Sequence, residues 1–209
     1  STMWHDFHGY GISGSDNSGK FALNSDRTGS NMQGSQDNIA IGRYAMLGSA
    51  TPADNTGGSN TIIGAYAGYV VTSGSYNAFL GNDAGRSTTT GSYNTFLGKN
   101  AGCCLTTGDE NIFIGCGAGA NGIMTADHNI GLGVEAGRKI TSGAQNVHIG
   151  YKPAAELTTA SGTVYIGQET AEQRQTGNDN IALGNYTMSC IANASKNIAI
   201  GAQNMRCLT

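Results

Sequence analysis

The sequence predicts an all-β chain folded as a parallel β-solenoid, and three observations carry that expectation. A five-residue phrase recurs along most of the 209 residues, glycine takes 33 positions against only 2 prolines, and apolar residues alternate inside each phrase. The phrase opens on Asn38, Asn60, Asn77, Asn94, Asn111, Asn129, Asn146, Thr163, Asn180 and Asn197, and closes on a glycine four residues later. Seven of the nine steps between phrases are 17 residues, so the period is that of a repeat architecture and not of a compact globule. The exceptions are a step of 22 before Asn60 and one of 18 before Asn129.

Each element of the coil follows from its residues. The positions one and three after the Asn are mostly β-branched or Leu, as in Ile39 and Ile41 or Val147 and Ile149, which is the period of a strand with one buried face. The phrase glycine, for example Gly81, Gly98 or Gly115, supplies a corner where a side chain would strain the backbone. A second short segment brings one further apolar residue, such as Val71, Leu105, Ile140 or Leu157, and a Gly turn closes the coil. Strand, corner, strand, corner gives a flattened two-sheet roll of about ten 17-residue coils. One coil cannot bury its own apolar face, whereas stacked coils form a continuous core with strands about 4.8 Å apart. The phrase asparagines, among them Asn77, Asn94 and Asn111, are placed to bond their own turns and to stack as an amide ladder.

Two segments divide the chain: residues 1–36, without the phrase, as an N-terminal cap or connector, and residues 37–209 as the roll. A cap is expected because a solenoid end exposes unpaired strand edges. The chain opens on Ser1, as expected of a mature fragment or a piece of a longer protein.

Composition narrows the function classes. Only 12 % of residues are charged and the net charge is −3, so the basic footprint of a nucleic-acid binder is missing and no nucleic acid is expected as partner. No apolar run approaches the roughly 20 residues of a spanning helix, and membrane insertion is not expected. The five cysteines include no C-x-x-C pair and read as small apolar fillers, although Cys190 and Cys207 fall at equivalent places in adjacent coils. His5, Asp6 and His8 cluster without a second ligand group, so no metal and no cofactor is expected. Nucleophile elbows, phosphate loops and zinc-protease motifs are absent, and no catalytic residue is assigned.

The position two after the Asn reads Ile62, Phe79, Phe96 and Phe113 over four successive coils, and the alternation assigns it to the outer face. An exposed aromatic stripe of that kind marks a contact surface, with an aromatic ligand-binding ladder and a simply tolerated exposure as the other readings. A row of threonines eight residues after the phrase glycine (Thr72, Thr89, Thr106, Thr141, Thr158) offers a rival reading as an ice-binding face, against a plain role in bonding turn backbone. Candidate ligand-binding residues are Thr51, Asp54 and Asn55 in the insertion "SATPADNTGGS", together with Trp4 and Tyr10 near the chain start.

The phrases "QDNIAIGRYA" (36–45) and "SKNIAIGAQN" (195–204) resemble the repeat of the YadA-like head domains of trimeric autotransporter adhesins, whose phrase ends in V-A-I-G. "GSYNTFLGKNAG" (91–102) is equally similar to the repeats of bacteriophage tail fibres. The resemblance covers about four fifths of the chain and departs from the adhesin pattern in its regular 17-residue coil and its mid-strand aromatic residues. It implies a left-handed roll, a homotrimer whose shared core would bury Ile62, Phe79, Phe96 and Phe113, an extracellular place on a cell or virion surface, and attachment to a cell-surface glycan or protein receptor. The alternative function is a purely structural spacer within a fibre.

Overall fold

A computed structural model describes residues 20–23, 37–122, 124–172, 176–189 and 193–205. The chain is an all-β parallel solenoid. Its strands are β1 (Lys20–Leu23), β2 (Asn38–Ile41), β3 (Thr61–Ile63), β4 (Ala78–Leu80), β5 (Thr95–Leu97), β6 (Ile112–Ile114), β7 (Ile130–Leu132), β8 (Val147–Ile149), β9 (Val164–Ile166), β10 (Ile181–Leu183) and β11 (Ile198–Ile200). All eleven form one parallel sheet in chain order, each strand one coil above the last and in register phrase on phrase. The insertion folds as a single 3-10 turn, Pro52–Asp54.

Several expectations need correction. The second apolar segment does not form a second sheet: among the described residues it contributes one isolated bridge, Leu105 to Met124. Left-handed backbone positions interrupt each coil after the strand, as at Asp83, Asn100 and Lys152 with φ between 54° and 59°, and extended pairing cannot run through them. Single backbone bonds tie the coils together there instead, such as Gly85 N to Ala101 O and Thr89 N to Thr106 O, both 2.9 Å. The sheet also begins earlier than residue 37, because β1 lies inside the segment expected as a non-repeat cap and pairs Phe21 with Ile39 and Leu23 with Ile41. Its phrase opens on Lys20 and is followed by Asn24, so neither the Asn nor the Gly that marks the repeat is present.

The buried column runs through the middle residue of each strand. Ile62, Phe79, Phe96, Phe113, His148, Tyr165, Ala182 and Ala199 are all fully buried. The expectation that Ile62, Phe79, Phe96 and Phe113 face outward is therefore reversed: they fill the solenoid's own interior and cannot form a contact surface. Parity explains the reversal. The phrase Asn is itself inside the coil, so strand alternation places the residue two later inside as well and sends its neighbours out. Phe79 stacks on Phe96 at 4.7 Å between ring centroids, and Phe96 on Phe113 at 5.7 Å.

A rule of volume governs this core. In most coils the residue six positions after the buried one crosses the coil toward it, and the two vary inversely in size: Ala40 with Met46, Ala182 with Met188 and Ala199 with Met205, but Phe79 with Gly85, Phe96 with Gly102 and Phe113 with Gly119; Gly131 with Gly137 departs from the pattern. A Cβ at Gly102 would lie 2.6 Å from Phe96 Cε2, and one at Gly85 2.5 Å from Phe79 Cε2. Met46 and Met188 adopt the same left-handed conformation (φ 49° and 55°) that Gly102 holds at 56°, so their backbone cost is accepted where the cavity needs filling.

The amide ladder is present. Asn77 takes Asn60 Oδ1 with both its backbone N–H (2.9 Å) and its Nδ2 (3.0 Å), and donates from Nδ2 to Gly91 O at 2.8 Å. Asn94 and Asn111 repeat the pattern one and two coils on. Every polar atom of these buried amides is thus used.

Candidate functional site

With the Asn and the middle residue inside, positions one and three of every strand point to solvent. They form two parallel columns over ten successive coils. The third-position column reads Ile41, Ile63, Leu80, Leu97, Ile114, Leu132, Ile149, Ile166, Leu183 and Ile200. The first-position column is Ile39, Thr61, Ala78, Thr95, Ile112, Ile130, Val147, Val164, Ile181 and Ile198. All are uncharged, and only two threonines interrupt an otherwise apolar surface. Leu80 is 48 % exposed, Leu97 41 % and Ile200 64 %. Tyr76 and Tyr93 border the face, half exposed and stacked at 4.8 Å.

Ten strands at about 4.8 Å spacing, each presenting about 10 Å of its length, make a flat ribbon on the order of 450 Å². That lies within the range of the largest apolar patch on a typical monomeric protein, about 300–600 Å². Side chains repeat on it once per coil, and neither column carries a charge.

The other predicted residues fall in different places. Asn55 is fully buried and closes the insertion on itself: its Oδ1 accepts from Ser49 N at 2.8 Å and its Nδ2 donates to Ser49 O at 3.0 Å. Its ligand-binding role is corrected to a structural one. Thr51 and Asp54 stay exposed on that loop, with Asp54 Oδ2 3.4 Å from Ser49 Oγ. Trp4, Tyr10, the His5 and His8 cluster, Cys190 and Cys207 lie outside the described residues. Gly81, Gly98 and Gly115 are corner residues whose added Cβ would strike the carbonyl of the next coil's glycine at 2.4, 2.7 and 2.2 Å.

The threonine row is structural in its bonding. Thr72, Thr89 and Thr141 donate their hydroxyls to the carbonyls of Thr89, Thr106 and Thr158 one coil on, each at 3.1 Å. Cys103 and Cys104 are free thiols with sulfurs 3.5 Å apart; burial, and then the neighbouring Cys104, push Cys103 up to about 12 and keep it protonated.

The chain matches no protein-family model, no curated protein and no solved structure.

What the structure adds is thus the sheet face, which sequence reasoning missed. The signal was available in the phrase Asn: a buried amide ladder fixes the strand's parity, and with it the outward direction of the two most uniformly apolar columns. Among the described residues no helix is long and apolar enough to cross a membrane.

Proposed function

We propose that the chain is part of a homotrimeric fibre, of phage tail or bacterial adhesin type, that attaches to a cell surface through glycan and works outside the cell. The observation that carries this reading is the uncharged two-column sheet face. A partner that covers it along its whole length needs ridges at the same spacing of about 4.8 Å, and a second copy of this solenoid has them. Around a three-fold axis, the first-position column of one chain packs on the third-position column of the next, a head-to-tail contact that closes after three. The resemblance of phrases such as "NIAIG" and "NTFLG" to trimeric head and fibre repeats supports the same number of chains.

In such an assembly the satisfied Asn ladder gives stiffness, and three weak sites on one rigid rod gain avidity that no single site possesses. The test is adhesion of the purified chain to glycan-bearing cells, with and without glycosidase treatment, and alongside it a Leu80→Glu, Leu97→Glu variant. Glycan-dependent adhesion is expected, and the variant should lose it as the trimer dissociates. Folded, trimeric protein that adheres to no cell would assign the chain to the spacer role instead.

A further inference from the structure

The side of the coil that follows the phrase glycine carries a feature independent of the sheet face. Tyr66 and Tyr69 pack at 5.7 Å between ring centroids, and the Arg86 guanidinium of the next coil sits over both rings at 5.5 and 6.0 Å. Beside them three successive coils form a cleft of about 460 Å³, lined among others by Tyr69, Asp83, Arg86, Ser87, Asn100 and Cys103. That volume is in the range of small-molecule sites.

Its walls are held by the solenoid itself. Asp83 and Asn100 occupy left-handed corners (φ 57° and 59°) and donate their backbone N–H groups to Ala65 O and Asn82 O one coil away at 3.0 and 2.9 Å. Their side chains take no part in those backbone bonds. One Asp83 oxygen makes a long 3.5 Å contact with Arg86, whose own side chain is half exposed. The side chains of Ser87 and Asn100 make no hydrogen bond among the described residues. Cys103 stays a neutral thiol and adds a weakly polar wall.

We propose that this cleft is a saccharide subsite for a neutral pyranose of a cell-surface glycan, an inference that rests on the glycan-directed reading above. A pyranose presents a flat C–H face and a rim of hydroxyls, each of which both donates and accepts. The part of the Tyr69 ring that Arg86, Tyr66 and Tyr44 leave uncovered, about half-buried in all, gives the polarised C–H groups an aromatic surface. Asp83 and Asn100 Oδ1 accept from hydroxyls, while Arg86, Asn100 Nδ2 and the Ser87 hydroxyl donate to them. An anionic ligand would meet the Asp83 carboxylate and a cationic one the Arg86 guanidinium, so the donor and acceptor mixture selects a neutral polyol. The cleft lies on the corner side and not on the sheet, and covering the apolar face leaves it open.

The experiment is a titration of the full chain, followed by amide chemical shifts, with the methyl glycosides of glucose, galactose, mannose and N-acetylglucosamine at millimolar concentration. Saturable shifts clustered between residues 69 and 104 with at least one glycoside are expected. Tyr69→Ala and Asp83→Asn should each weaken that binding about tenfold, a loss of one buried contact, with circular dichroism unchanged. Saturable shifts elsewhere, untouched by either substitution, would overturn the subsite and leave the glycan reading standing. No saturable shift with any of the four would also overturn it, and adhesion to glycosidase-treated cells then decides the glycan reading separately.

Discussion

The inverse size rule in the core makes a prediction that reverses the usual effect of a damaging substitution. Phe96→Ala removes a ring that is fully buried and stacked on Phe79 and Phe113, and should cost about 3–5 kcal/mol. Gly102→Met puts a Cβ 2.6 Å from that ring at φ 56°, which adds about 1–3 kcal/mol of overpacking to about 1–2 kcal/mol of left-handed strain. If the two changes were independent the double variant would lose the sum, roughly 5–10 kcal/mol. Native coils say otherwise: Ala40 with Met46 and Ala182 with Met188 are that same pair, fully packed. The double variant should therefore retain only the left-handed strain of Met and the loss of two ring stacks, together roughly 2–5 kcal/mol. The assay is equilibrium urea unfolding of the wild type, both single variants and the double variant. A coupling energy of at least about 2 kcal/mol in favour of the double variant is expected, and additivity to within about 0.5 kcal/mol would refute the volume argument.

Three further outcomes follow from individual groups. Thr88 stands between Val71 and Leu105 in a buried column with no partner for its hydroxyl, so Thr88→Val should stabilise by about 1 kcal/mol in the same unfolding assay. Asn94→Ala strips the bond to Gly108 O and those received from Asn111; leaving these buried groups unpaired should cost roughly 3–5 kcal/mol, against about 1 kcal/mol for Asn197→Ala at the partly exposed last described rung. His148 is fully buried, its ring stacked on Tyr165, its Nε2 donating to Thr163 Oγ1 at 3.0 Å and its Nδ1 without a partner. Burial lowers its pKa from 6.5 to about 3, so the unfolded chain binds the extra proton first. The stability this group contributes is whole above pH 6.5 and is lost as the pH falls toward 3, by about 2 kcal/mol at pH 5. His148→Phe should remove that part of the pH dependence, and unfolding midpoints at pH 8 and pH 5 for both proteins measure it.

The architecture was legible in the sequence because a solenoid states its period openly. The Asn and Gly of each phrase fixed coil length, register and ladder, and the structure has all three. Three features misled. Ile and Val columns are the usual mark of a buried strand face, yet here Asn60, Asn77 and their successors occupy the interior and the narrow coil admits one further side chain per strand, so the β-branched residues go out. The second sheet failed because its residues carry left-handed backbone at non-glycine positions, such as Tyr66, Glu135 and Ala154, which propensity does not disclose. β1 was hidden because Lys20 replaces the Asn and Asn24 the Gly, while the apolar spacing of Phe21 and Leu23 survives. The Tyr69 and Arg86 cleft joins residues 17 apart, and only the coil stacking brings them together.

The central claim is that the apolar sheet face is where copies of this chain meet, and its most direct test is the solution mass by light scattering over a dilution series. The wild type should hold the mass of three chains on dilution, and Leu80→Glu with Leu97→Glu, at positions 48 % and 41 % exposed in the single chain, should yield a folded monomer. A wild-type protein that is monomeric at every concentration, with Leu80 and Leu97 open to solvent, would contradict it.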